Sequence, residues 1–285
     1  MFGIGRSVRG FLALLGTGAV LASGPGIAHA WWEPWNPVPF SEPLALSRGW
    51  LDPGQPGSAT LGEADACRYV TEEWGWRDCG GIEAFVIDHA PGLEILLVYG
   101  PGQRGYVRLG DWHAAGRSDA IFVIESELRE TFAEQSLRIE KPIEFVRWRI
   151  YPTLNDAKNY LYFATDVLWD GAPHIIIRAA IFDRRGYVVF DIVPADRNIG
   201  AAATERLIEA SLERYRSTER ESYGAFRPGD HVAPLGAVGV LATLVGVPPA
   251  TTAARDELPA SGGLGKAWLA LLVIPLVWIG KRLKR

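Results

Sequence analysis

The sequence predicts an α+β fold, a mostly antiparallel sheet with helices packed on one face, followed by a C-terminal transmembrane helix. Three observations carry that expectation. Short β-branched and aromatic runs alternate with turn residues through the middle of the chain. Two segments place apolar residues at helical spacing. Near the end, an uncharged apolar run is closed by a cluster of basic residues.

Residues 1–30 read as a secretory signal peptide. Arg6 and Arg9 supply the positive region, residues 10–22 an apolar stretch, and Ala28-His29-Ala30 the small-x-small cleavage site. Residues 31–57 form a Pro- and Trp-rich segment. Pro34, Pro37, Pro39, Pro43 and Pro53 exclude a regular helix there. Trp31, Trp32 and Trp35 serve either an exposed contact or a fold-back onto the domain.

Residues 58–227 are expected to form the extracytoplasmic α+β domain. A helix is predicted near 64–74, then strands at 82–87, 93–99 and 106–109, and a helix over 119–134. In that helix Ile121, Ile124, Leu128 and Phe132 fall at spacings of three and four. A meander follows at 143–150, 160–169, 174–182 and 187–193. Its last two turns are Asp170-Gly171-Ala172-Pro173 and Asp183-Arg184-Arg185-Gly186. A second helix is predicted over 201–216, with Ile208, Leu212 and Tyr215 on one face. Cys67 and Cys79 are the only cysteines. In an exported chain that pair reads as a disulfide between the end of the first helix and the start of the following strand.

Three segments complete the chain. Residues 228–250 hold a Gly/Ala-rich apolar helix, buried or apposed to a membrane, with a two-helix hairpin as the alternative. Residues 251–265 are a linker, in which Leu258-Pro259-Ala260-Ser261-Gly262-Gly263 also has the outline of a sorting signal. Residues 266–285 form the membrane anchor, with Trp268 and Trp278 near its ends and the basic tail from Lys281 on the cytoplasmic side.

Charge narrows the function. The chain carries 29 Lys+Arg and 33 Asp+Glu, a formal −4. Two arginines before residue 31 and five basic residues after 263 account for seven of the 29, with no acid in either stretch. The middle therefore has 22 basic against 33 acidic residues, a net −11. Nucleic acid, which needs a basic stripe, is excluded as a partner.

Motifs for chemistry are sparse. Gly100-Pro101-Gly102-Gln103-Arg104-Gly105 has dinucleotide-binding spacing, but the following residues read as a strand and not as a helix N-terminus. Asp88-His89, Asp111-x-His113 and Asp230-His231 pair carboxylate with imidazole, without the helical spacing of a metal site. Glu125, Glu127 and Glu130 read as a solvated helix face. No metal or cofactor is expected.

Several stretches together resemble a bacterial domain family of predicted membrane-anchored proteins of unknown function. They are Gly105-Tyr106-Val107 followed by Asp111-Trp112 and Asp119-Ala120; Trp148 and Pro152 ahead of Leu161-Tyr162-Phe163-Ala164; Arg184-x-Gly186; and Tyr223-Gly-Ala-Phe226 followed by Gly229-Asp230-His231-Val232-Ala233. The resemblance spans roughly residues 58 to 285. Arg108-Leu109-Gly110 replaces the acidic run of the family, and Asp183 the glycine of its Gly-Arg-x-Gly turn.

The resemblance implies export and anchoring, and no activity. The expected function is a binding or assembly module of the cell envelope, facing the membrane and another envelope protein. The alternative is an extracytoplasmic hydrolase or metal-dependent enzyme using Asp111, Asp119 and Asp230 with His113 or His231. Candidate binding residues are Asp111, Trp112, Asp119, Arg184, Tyr223, Phe226 and Asp230. Asp230 doubles as a candidate N-cap of the apolar helix.

Overall fold

In the computed structural model, residues 35–88, 92–100 and 104–246 are described. The signal peptide, Trp31 and Trp32, the central residues of the Gly100–Gly105 loop, His89, the linker and the membrane anchor lie outside them. No helix among the described residues is long and apolar enough to cross a membrane. From Pro37 to residue 246 the described residues form one compact unit.

The sheet grows from local alternation. Strands β5 (Ile82–Ile87) and β6 (Leu93–Tyr99) run as predicted, and the meander is longer than expected: β7 (Ile143–Asn155), β8 (Tyr160–Trp169), β9 (Ala172–Asp183) and β10 (Gly186–Pro194). Asp170 and Gly171 both adopt positive φ, at 52° and 75°. That conformation matches the twist of the flanking strands and closes the β8–β9 hairpin in two residues. With β1 (Val38–Pro39) and β4 (Ala59–Thr60), these strands form an eight-stranded antiparallel sheet ordered β1-β4-β5-β6-β10-β9-β8-β7. A three-stranded sheet joins β2 (Leu44–Ala45), β3 (Gly49–Leu51) and β11 (Tyr215–Ser217).

Successive residues of each strand point to opposite faces, and both faces of the large sheet are covered. On one, Leu161, Phe163, Phe182, Tyr187 and Val189 pack with Ile121, Ile124, Leu128 and Phe132 of α2 (Arg117–Ile139). Helix α1 (Glu63–Glu72) meets β5, with Tyr69 edge-on to Phe85. On the other face Tyr162, Ala164, Ile181, Val188 and Phe190 pack with Ile208 and Leu212 of α3 (Ala201–Leu212), and with Leu51 and Tyr215 of the small sheet. Helices therefore occupy both faces, against the expectation of one. The period-two apolar pattern of β8 to β10 leaves an apolar row on each side, so each needs a cover.

Two predicted elements change identity. Residues 106–109 are not a strand: only Tyr106 bridges, to Val232, before a 3₁₀ turn at Gly110–His113. Strand β6 is already flanked by β5 and β10, so no edge remains for a further strand to join. The predicted helix over 201–216 ends at Leu212, because Tyr215 pairs with Leu51 in the small sheet.

The apolar run after residue 227 contributes α4 (Ala237–Leu244), eight residues with Ala237, Val240, Leu241 and Leu244 buried. It sits in the same core cluster as Trp112 and Leu128. Here the run is core, and its small residues let the helix approach its neighbours closely.

Candidate functional site

Most residues singled out in the sequence converge on the corner where the β9–β10 turn meets the start of α4. Every member of that turn is held. Asp183 Oδ2 accepts from Arg48 Nη1 at 2.8 Å, both side chains almost wholly buried, and Asp183 Oδ1 accepts from Arg185 N at 2.7 Å. Burial pushes the Asp183 carboxyl above its ordinary pKa, with Arg48 opposing. Arg184 grips Asp230 through two bonds of 2.7 and 2.6 Å, a bidentate geometry that matches guanidinium to carboxylate. Asp230 also accepts from Arg227 N, and together these bonds lower its pKa to about 2. Arg185 donates to Glu221 at 2.6 Å.

The aromatic candidates stack beside this turn. Tyr106 lies between Tyr223 and Phe226, with ring centroids 4.6 and 4.3 Å away, and the Tyr223 hydroxyl donates to Val107 O at 2.8 Å. Trp112 is 3% exposed, part of the core, with Arg117 over its ring.

Asp111 has a role that sequence reasoning assigned to Asp230. Its carboxylate accepts from Ala237 N at 2.8 Å and Val238 N at 3.0 Å, capping α4 from 126 residues away. These N–H groups have no partner within the helix, and a negative charge there suits the helix dipole. Gly236 precedes them because a Cβ at that position would collide with the Asp111 carboxylate. Asp230 is therefore the partner of Arg184 and not the cap.

The structure brings Asp111, Trp112, Arg184, Tyr223, Phe226 and Asp230 into this bonded corner. Asp119 stands apart, exposed in the first turn of α2. His113 is exposed and pairs with Asp156 at 3.1 Å. No group of three His, Cys, Asp or Glu residues among those described could hold a metal ion. Of the carboxylates named for a catalytic combination, Asp111 caps α4, Asp230 pairs with Arg184 and Asp119 stands apart.

A different place has room for a ligand. On the α2 side of the large sheet, α1 and α2 stand apart and leave strands β6, β9 and β10 as the floor of a groove. One cavity of about 370 Å³ is floored by Ile95, Ile176 and Val193 and walled by Trp74, Trp169 and Phe132. A second, of about 540 Å³, lies beside it against Tyr99, Gly75 and Arg138. Trp76, Phe132, Gln135 and Arg178 line both.

Between the two cavities, the loop after α1 is tied to α2. Gln135 donates to Trp74 O, and Arg138 Nε to Gly75 O at 2.8 Å. Gly75 holds φ at +67°, and a Cβ there would strike Ile139, so the loop reaches α2 only with glycine at that position. The Cys67–Cys79 disulfide, with Cα atoms 5.1 Å apart, fastens the same loop to α1. Cys67 lies midway along α1 and not at its end as expected.

Arg178 and Asp191 face each other in the β9–β10 register and bond at 2.8 Å, while Arg178 Nη1 reaches Leu244 O at 2.6 Å. Burial raises the Asp191 carboxyl above its ordinary pKa, with Arg178 opposing. Burial and the nearby Asp191 likewise raise the Tyr99 phenol. At the rim, burial raises Glu94 and lowers His174. Burial with the charges of Glu94 and Glu73 pushes Tyr69 up to about 12. Sequence reasoning missed this site. The available signal was one charge inside each of two apolar strands, Arg178 in IIIRAAIF and Asp191 in VVFDIV.

Fold and groove together define an α+β domain with a disulfide-fastened, aromatic-walled cleft. The chain belongs to the family described as Protein of unknown function (DUF2167), which matches residues 55–274. No curated protein matches it. Among solved structures, the cyanobacterial PsbP (CyanoP) from Synechocystis sp. PCC 6803 is 12% identical with a TM-score of 0.30. That match covers 48% of this chain and 75% of that one. A likeness this slight carries nothing over to the present chain.

Proposed function

We propose that the chain is an exported, C-terminally anchored envelope protein whose domain is a binding module, with the groove between α1 and α2 as its binding site. The observation that carries this reading is the groove. Its size lies in the range of ligand sites, its lining mixes apolar and aromatic side chains with charged ones at Glu73, Glu94, Lys141, Arg178, Asp191 and Arg197, and its wall is held in place. The disulfide supports an oxidising compartment. The corner at the β9–β10 turn supports the scaffold, because its polar groups are spent on one another.

The test is photocrosslinking of the full-length chain in its native membranes. A benzophenone side chain at rim position Glu73 or Lys141 is expected to trap a discrete adduct. The same group at Glu205, exposed on α3 across the sheet, is expected to trap none. Equal labelling at all three positions, or none at any, refutes the groove as the binding site.

A further inference from the structure

We propose that the groove takes an extended peptide segment of a partner protein, recognised through the main-chain N–H and C=O of one residue and through apolar side chains. This rests on the groove being the binding site. The hydrogen-bonding groups at its floor set the chemistry. Arg178 spends Nε on Asp191 and Nη1 on Leu244 O, and its Nη2 bonds to no described residue. Asp191 accepts through Oδ1, while Oδ2 receives no bond from a described residue. The two side chains are 21% and 8% exposed, so both are largely withdrawn from bulk water.

A spare guanidinium N–H beside a spare carboxylate oxygen offers one donor and one acceptor. That is the complement of one residue in an extended chain, whose own C=O accepts and whose own N–H donates on the same side. An anionic ligand meets the charge of Asp191, and a cationic one that of Arg178. A wholly apolar ligand leaves both groups desolvated without compensation. One extended residue satisfies both groups at once through its own N–H and C=O, which belong to adjacent peptide units.

Shape and charge agree with a chain more than with a small molecule. The cavities adjoin at Trp76 and Arg178, on either side of the tie between α2 and the loop. A polymer can therefore continue from one into the other. Trp74 and Trp169 offer flat apolar surfaces for aliphatic or prolyl side chains. At the rim of the first cavity Glu73 and Glu94 balance Lys141 and Arg197; the second sets Asp78, Glu127, Glu130 and Glu134 against Arg77, Arg138 and the shared Arg178.

A phage-displayed library of random dodecapeptides is panned against the immobilised full-length chain, and the enriched peptides are synthesised. The expected result is binding that falls at least tenfold in Ile176→Trp, which fills the groove. Leu137→Trp, on the exposed part of α2, is expected to leave it unchanged. N-methylation of the central amides is expected to cost a similar factor, and circular dichroism checks that both variants fold. A library that yields no peptide sensitive to Ile176→Trp overturns the proposal, as does full binding by the N-methylated peptides. If sodium oleate binds in an Ile176→Trp-sensitive manner and no peptide does, the peptide reading fails and the groove stands as a binding site.

Discussion

The corner at the β9–β10 turn and the groove between α1 and α2 use the same residue types to opposite ends. Both hold arginine–carboxylate pairs and clustered aromatics. At the corner Arg48, Arg184 and Arg185 each find a carboxylate, and Asp111 closes the start of α4. In the groove Arg178 and Asp191 bond each other and retain capacity on the cavity side. Saturated polar groups fix a fold; groups with capacity to spare, set in a cavity, suit recognition. A sequence motif alone does not separate the two.

The largest test of that contrast is Arg48→Ala. It strands the Asp183 carboxylate in the interior and is expected to cost about 3–5 kcal/mol, read from urea denaturation. Replacing both Cys67 and Cys79 by serine is expected to cost about 3 kcal/mol, given their 12-residue separation, and to loosen the Trp74–Trp76 wall. Hydrogen exchange of the residue 73–81 backbone checks the second effect. Asp111→Ala removes a charged cap and is expected to cost about 1–2 kcal/mol, while leaving the groove-rim crosslink intact.

Smaller effects are expected at the rim, where Glu73→Ala and Arg197→Ala should shift stability by less than about 0.5 kcal/mol. A larger loss there places the rim in the scaffold and breaks the contrast. The smallest effect is in pH dependence. Asp230 titrates near 2 in the folded chain and near the ordinary carboxylate value, about 3.9, when unfolded. Its contribution is therefore complete above about pH 4 and is lost as pH falls through 2. Melting temperatures of Asp230→Asn and wild type between pH 5 and 2 should converge at the acid end.

What the sequence makes legible follows from how local each cause is. Strands β5 and β6 and helix α2 are visible because their apolar periodicity is complete within the segment. The second cover of the sheet is hidden, since Leu51 and Tyr215 must meet across the chain before β11 can join β3. The same limit explains the cap of α4: Asp111 and Gly236 are neighbours only in the folded domain. Among the family-like residues, Asp111, Arg184, Tyr223 and Asp230 bond within the domain, while Asp119 and Phe226 are exposed. The groove has no motif because its chemistry is one cross-strand pair, Arg178 and Asp191, seated among ordinary strand residues.

The pairing of Leu51 with Tyr215 also sets an order of events during folding. Closing so long a loop is entropically slow, so the β2–β3 hairpin gains its third strand only when nearly the whole domain is available. Helix α4 comes later still, and Trp112 with its neighbours lacks that cover until residues 237–244 arrive. The early meander is thus half-finished: α2 precedes it and covers part of one face, while the other face waits for α3 and β11. A chain arrested before residue 244 is a natural target for chaperones and proteases, which makes completion of this domain its own quality check.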